Sequence, residues 1–153
     1  MITNVGIADL KFIKDTGILK TILGSCVGIV IYEPRLKIAG LSHILLPKPT
    51  DNRADQPLKY GTLAIPFLIT GLLARGAKKS NLLARIAGGA DMLSSKTDST
   101  SFNKIGTENV KITRKILNEH NIKIISDDTG GETGMTISFH LDDCSIRISY
   151  LSR

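Results

Sequence analysis

Tryptophan is absent, and three Tyr and four Phe make up the whole aromatic content. That leaves poor material for a platform on which nucleic-acid bases stack, and the basic residues are scattered along the chain. Cysteine is nearly absent too. Cys26 and Cys144 are far apart and neither belongs to a C-x-x-C pair, which excludes a disulfide framework and leaves a zinc site unsupported. In a reducing compartment both are free thiols. No apolar run approaches the ~18–20 uncharged residues of a membrane span. The opening "MITNVGIADLKFIKD" has neither the basic start nor the greasy centre of a signal peptide. These absences predict a protein of the cytoplasm that does not insert in a membrane. Linkers, internal repeats and low-complexity tracts are also missing, so residues 1–153 read as one domain.

What is present is enough for a core. Hydrophobic residues form 42% of the 153-residue chain and charged residues 22%, the balance of a globular domain. Twenty Lys and Arg against fourteen Asp and Glu give a net charge of +6. Such a surplus favours an acidic partner, or simply keeps a surface soluble.

Strand patterns cover Val5–Phe12 and Ile18–Leu23, with a turn at Asp15-Thr16-Gly17. Val27–Tyr32 and Lys37–Leu45 follow, rich in Ile, Val and Leu and parted by Glu33-Pro34-Arg35-Leu36. The loop "PKPTDNRADQP" suits either an active-site flap or a solvated connection. From Lys59 to Arg75 apolar residues recur at steps of three and four, predicting a helix with Pro66 at a kink or in the first turn and Gly76 as its cap. Leu82–Ala87 reads as a buried strand entering Gly88-Gly89, and Thr107–His120 as a second helix. "IKIIS" is a further strand. Met135–Leu141 and Ile146–Tyr150 alternate with period two around Asp142-Asp143. The mixture predicts an α+β fold, a layered α/β sandwich of mixed or mostly antiparallel sheets with two main helices.

The stretch "LGSCVGIVIYEPRLKIAGLSHILLP" raises the functional question. If its two apolar runs form a hairpin with Tyr32 opposite Lys37, Cys26 falls directly across from His43, on the same face. A one-residue bulge would send them to opposite faces. A thiol becomes nucleophilic as its thiolate, and an imidazole beside it can take the proton and return it to a leaving group. Gly24 and Ser25 leave the backbone uncrowded, so amides at Ser25 and Cys26 are candidates to hold an oxyanion. Thr21, on the preceding strand, is a candidate to orient His43 or the substrate. The bland reading is a buried Cys and a satisfied His.

At these residues the chain resembles a known family. "LGSCV", a short hairpin and "HILLP" match the pattern of the chemoreceptor glutamine deamidase family, CheD. The likeness runs on through "KYGTLAI", "ARIAGGADM", "IGTENV" and "DDTGGETG" in the right order. The resemblance implies a hydrolase that converts glutamine side chains of chemotaxis receptors to glutamate, with no metal or organic cofactor, on a fold similar to bacterial toxin deamidases. By position it implies Cys26 as nucleophile, His43 as general base and acid, and Thr21 as third member. It also implies two partners, the receptor cytoplasmic domains and a CheC phosphatase. The pattern departs at two places. Thr21 stands five residues before Cys26 where some relatives have six, and Met135 stands where many have Arg.

Gly88-Gly89 with Asp91 lacks the Lys and spacing of a phosphate loop and reads as a tight strand exit. Gly130-Gly131 reads as a turn, His120 as a helix end, His140 as solvent-facing and Cys144 as a passive thiol. Asn109 and Thr107 read as helix-start chemistry. Two other functions compete with the deamidase: a catalytically idle adaptor of the same fold that regulates a phosphatase, and a basic nucleic-acid-binding module.

Overall fold

A computed structural model describes residues 1–50, 56–92 and 104–151. Five strands form one sheet in the order β2 (Asp9–Lys14), β5 (Ile38–Ile44), β4 (Val27–Glu33), β6 (Leu83–Gly88) and β7 (Lys123–Thr129). Four form a second, in the order β1 (Ile2–Asn4), β3 (Ile18–Leu23), β8 (Met135–His140) and β9 (Ser145–Tyr150). Neighbouring strands are antiparallel except at β1–β3 and β6–β7. Helices α1 (Gly61–Ala74) and α2 (Ile105–Glu119) pack on the outer face of the larger sheet. The result is the expected α+β sandwich. Among the described residues, no helix is long and apolar enough to cross a membrane.

The central position of β4 and β5 explains their unbroken apolar sequences. Every residue of both strands is buried, because each face meets a packed layer. Ile29, Ile31 and Ile44 join the helix-side core with Ile65, Leu68 and Leu117. Val30, Tyr32 and Leu41 point the other way, onto Leu19, Leu23, Ile137 and Phe139 of the smaller sheet. Residues on this second face share the space between the sheets with Cys26.

The hairpin register differs from the expected one. Glu33 pairs with Ile38 and Gly28 pairs with His43, so Cys26 lies beyond the last rung rather than opposite the imidazole. The cause is the turn. Pro34 to Lys37 all stay outside the ladder, and Lys37 takes the left-handed conformation, φ 54°. Its ammonium is held by the carbonyls of Leu141 and Asp142 at 3.3 and 2.8 Å, which supports that strained backbone. The displacement is two residues, an even number, so Cys26 and His43 still project to one face.

Other elements need smaller corrections. The strand expected over Val5–Phe12 is broken at Val5–Ala8, where Ala8 takes φ 61° and donates its amide to the carbonyl of His43 at 2.9 Å. Pro66 lies past the first turn of α1, which continues through it. Cys144 sits with φ 57° in the turn before β9. Residues 51–55, the middle of the expected loop, lie outside the described residues.

Candidate active site

Thr21 on β3 and His43 on β5 face each other across the space between the sheets, and both are buried. Thr21 Oγ1 lies 2.8 Å from His43 Nδ1 and 2.5 Å from the backbone carbonyl of Val5. Counting hydrogens fixes their roles. The Thr21 hydroxyl has one proton, and the Val5 oxygen can only accept, so that proton goes to Val5. The Thr21 oxygen then accepts from His43, whose Nδ1 carries the hydrogen; the Val5 carbonyl, 3.4 Å from Nδ1, shares it. The imidazole is thereby held in the tautomer whose Nε2 bears the lone pair. Nε2 is buried and has no hydrogen-bond partner among the described residues. An unpartnered base on the sheet face that a thiol shares is free to take up a proton.

Cys26 ends the bend Gly24-Ser25-Cys26 just before β4 and is 6% exposed. Its position is diagonal to His43, a neighbour relation within reach of side chains on one sheet face. The residue directly opposite His43 is Gly28, which presents no side chain of its own to the ring. Burial pushes the thiol of Cys26 above its ordinary value of 9.0, against an opposing pull from its own amide N–H. Burial also pushes His43 below 6.5, opposed by the Val5 carbonyl. Both shifts favour uncharged forms. Near neutral pH these directions leave a thiol and an imidazole that are both uncharged.

The bend is fixed from outside. Gly89 donates its amide to the carbonyl of Cys26 at 2.8 Å, and Ala90 donates to Gly24 at 2.9 Å. Gly88 and Gly89 take φ of 98° and 68°, and a Cβ on Gly88 would lie 2.3 Å from the Cys26 carbonyl oxygen, so the tight strand exit serves this approach. Gly130 donates to Gly88, and Asp91 to Gly131, which places the second glycine pair behind the first. With the Cys26 and Gly24 carbonyls so occupied, the amides of Ser25 and Cys26 donate to no backbone carbonyl among the described residues.

Two contributors escape sequence reading. The Val5 carbonyl is a backbone group with no residue signature. Asn109, fully buried on α2, donates to the carbonyls of Ser25 and Leu45, both at 3.0 Å; its place inside the helix start is visible in sequence, but not what lies beneath. Met135 is buried in the inter-sheet core, where it lines a groove of about 220 Å³ with Gly131, Glu132 and Tyr150. Cys144 is half-buried with its thiol toward the Leu141 carbonyl, on the far end of the sandwich from Cys26. His140 stands beside the Ser138 hydroxyl at 3.1 Å, and His120 caps α2.

A buried Cys, His and Thr facing the space between two sheets are the groups with which a cysteine-dependent hydrolase works. Comparison with known proteins is more specific. Residues 45–150 match the family model described as CheD chemotactic sensory transduction. A Clostridium botulinum protein is 47% identical over 135 residues, covering 87% of this chain and 83% of the relative. A Caldanaerobacter subterraneus protein is 47% identical over 146 residues, covering 93% and 88%. A Methanococcus vannielii protein is 36% identical over 148 residues, covering 97% and 94%. Each of the three bears the name probable chemoreceptor glutamine deamidase CheD. The chain belongs to the CheD family.

Proposed function

We propose that this protein is a protein-glutamine deamidase of chemoreceptors, with Cys26, His43 and Thr21 as its reacting set. The observation that carries the reading is the buried, unpartnered Nε2 of His43, held in its lone-pair tautomer on the sheet face that Cys26 shares.

The chemistry follows from the geometry. As the Cys26 sulfur attacks the δ-carbonyl carbon of a glutamine, its proton passes to His43 Nε2. The carbonyl π pair moves to oxygen, where the amides of Ser25 and Cys26 receive it. The imidazolium is stabilised through Nδ1–H by the Thr21 oxygen and the Val5 carbonyl. Collapse of the tetrahedral species breaks the C–N bond, His43 returns its proton to nitrogen, and ammonia leaves a thioester on Cys26. Neutral His43 then takes a proton from water, hydroxide adds to the thioester carbon, and the sulfur departs as the thiol, releasing glutamate. Each step closes on groups already present. The same reading puts the protein in the cytoplasm as one domain over residues 1–153, with CheC as a second partner and no role for nucleic acid.

The test is mass spectrometry of a receptor cytoplasmic domain incubated with wild type and Cys26→Ala. Wild type should add ~1 Da at selected glutamines, the change of amide to acid, and the variant should add nothing. Equal conversion by Cys26→Ala rejects the reading.

A further inference from the structure

The β4–β5 ladder stops at Val27 and Ile44. Cys26 lies one residue before that rung and His43 one residue inside it, so backbone pairing does not fix how far the two strand ends spread around the reacting pair. Asn109 spans that gap. Its two N–H groups reach the carbonyl of Ser25, in the bend that leads into Cys26, and the carbonyl of Leu45, just past the end of β5, each at 3.0 Å. The amide orientation is forced, because its inversion would set Oδ1 against two carbonyl oxygens. Oδ1 itself is buried and has no partner among the described residues. A side chain present only to fill space would not carry that unmet acceptor.

The helix that bears Asn109 is itself pinned to the same bend. A Cβ on Gly106 would lie 2.4 Å from the Ala90 carbonyl oxygen and 2.5 Å from that of Gly89. Those two residues are the ones whose amides hold the carbonyls of Gly24 and Cys26. Thr113 ties its hydroxyl to the Asn109 carbonyl at 2.8 Å. One rigid helix start thus fixes both flanks of the thiol and the strand beyond the imidazole.

We infer that Asn109 is a positioning residue for the Cys26–His43 pair, its carboxamide acting as a final rung that sets the distance between sulfur and Nε2. The inference rests on those two residues being the reacting pair. Asn109→Leu removes both donors without adding charge. It should lower kcat for receptor deamidation by about 100-fold, the scale of a misplaced reacting group, while KM stays within about twofold.

A double-mutant cycle supplies a readout free of substrate. His43→Ala should slow iodoacetamide alkylation of Cys26 at neutral pH in the wild type, and should have no further effect in the Asn109→Leu background. A His43→Ala effect of the same factor in both backgrounds, or an unchanged kcat in folded Asn109→Leu, overturns the inference. Should Asn109→Leu fail to fold, the exchange of the Asn109 side-chain amide protons in the wild type decides. Exchange as fast as that of exposed Asn118 removes the rung, and protection by about 100-fold or more supports it. A wild type that shows the alkylation coupling but releases no ammonia fails the deamidase reading and leaves the positioning role standing.

Discussion

Gly28 is the residue directly across the ladder from His43. The position a Cβ would occupy there is already met by Leu23 Cδ1 at 3.1 Å and Ile137 Cδ1 at 3.3 Å. A side chain at this point would push into the packed space from which the imidazole and the diagonal thiol both emerge. Gly28→Val should therefore lose about 1–3 kcal/mol of stability, the usual cost of overpacking. Denaturant unfolding measures that loss, and ammonia release should fall at least about tenfold in the fraction that stays folded. A variant as stable and active as the wild type would show that the space is slack.

Thr21 acts on His43 through one oxygen. Thr21→Val keeps the shape and removes the hydroxyl, leaving Nδ1–H with only the Val5 carbonyl at 3.4 Å. The tautomer is then poorly held, and kcat should drop about 10- to 100-fold, as for other groups that orient an imidazole. Thr21→Ser retains the oxygen and should keep most of the activity. Equal rates for the Val and Ser variants would remove Thr21 from the account.

The pH profile follows from the direction of two shifts. His43 must be neutral to take the proton, and burial holds its pKa below 6.5. The acid limb of kcat/KM should therefore have its midpoint below pH 6.5. Substrate-free alkylation of Cys26 should rise with a midpoint above 9.0, because burial raises the thiol. A preformed ion pair would instead give alkylation that levels off near neutrality. Stability carries the same sign. The folded state resists protonating His43, so His43's contribution is whole above about 6.5 and is lost as pH falls toward the lower folded value.

How much of this was legible beforehand divides along a physical line. Ile18–Leu23 and Met135–His140 are strands whose alternation survives in the structure because each has one face on the core, and in Ser145–Tyr150 it holds for Ile146 and Ile148 but not for the exposed Tyr150. The doubly buried runs of β4 and β5 also announce themselves. The register between them does not, since it depends on Lys37 taking a left-handed turn that the Leu141 and Asp142 carbonyls support from the far end of another hairpin. The shared face of Cys26 and His43 outlasts that error only because the displacement is even. Val5 read as part of a strand, but the chain breaks there so that its carbonyl can turn to Thr21. Asn109 read as helix-start chemistry because nothing in local spacing reveals which carbonyls a helix will cover.

The net charge of +6 suggests a test of encounter rather than chemistry. Raising the salt concentration should lower kcat/KM for an acidic receptor domain, by screening the attraction that steers it. The rate for a short uncharged glutaminyl peptide should stay flat. Parallel behaviour of both substrates would assign the surplus to solubility alone.

The central claim is that the glutamine acyl group passes through the sulfur of Cys26, and hydroxylamine examines that passage directly. Added during turnover, it should divert the thioester, so that receptor glutamines gain ~16 Da as hydroxamates at the expense of glutamate. Cys26→Ala should form neither product. Glutamate that continues to appear at an undiminished rate, with no hydroxamate at any hydroxylamine concentration, would mean that water attacks the amide directly and that no bond to Cys26 is ever made.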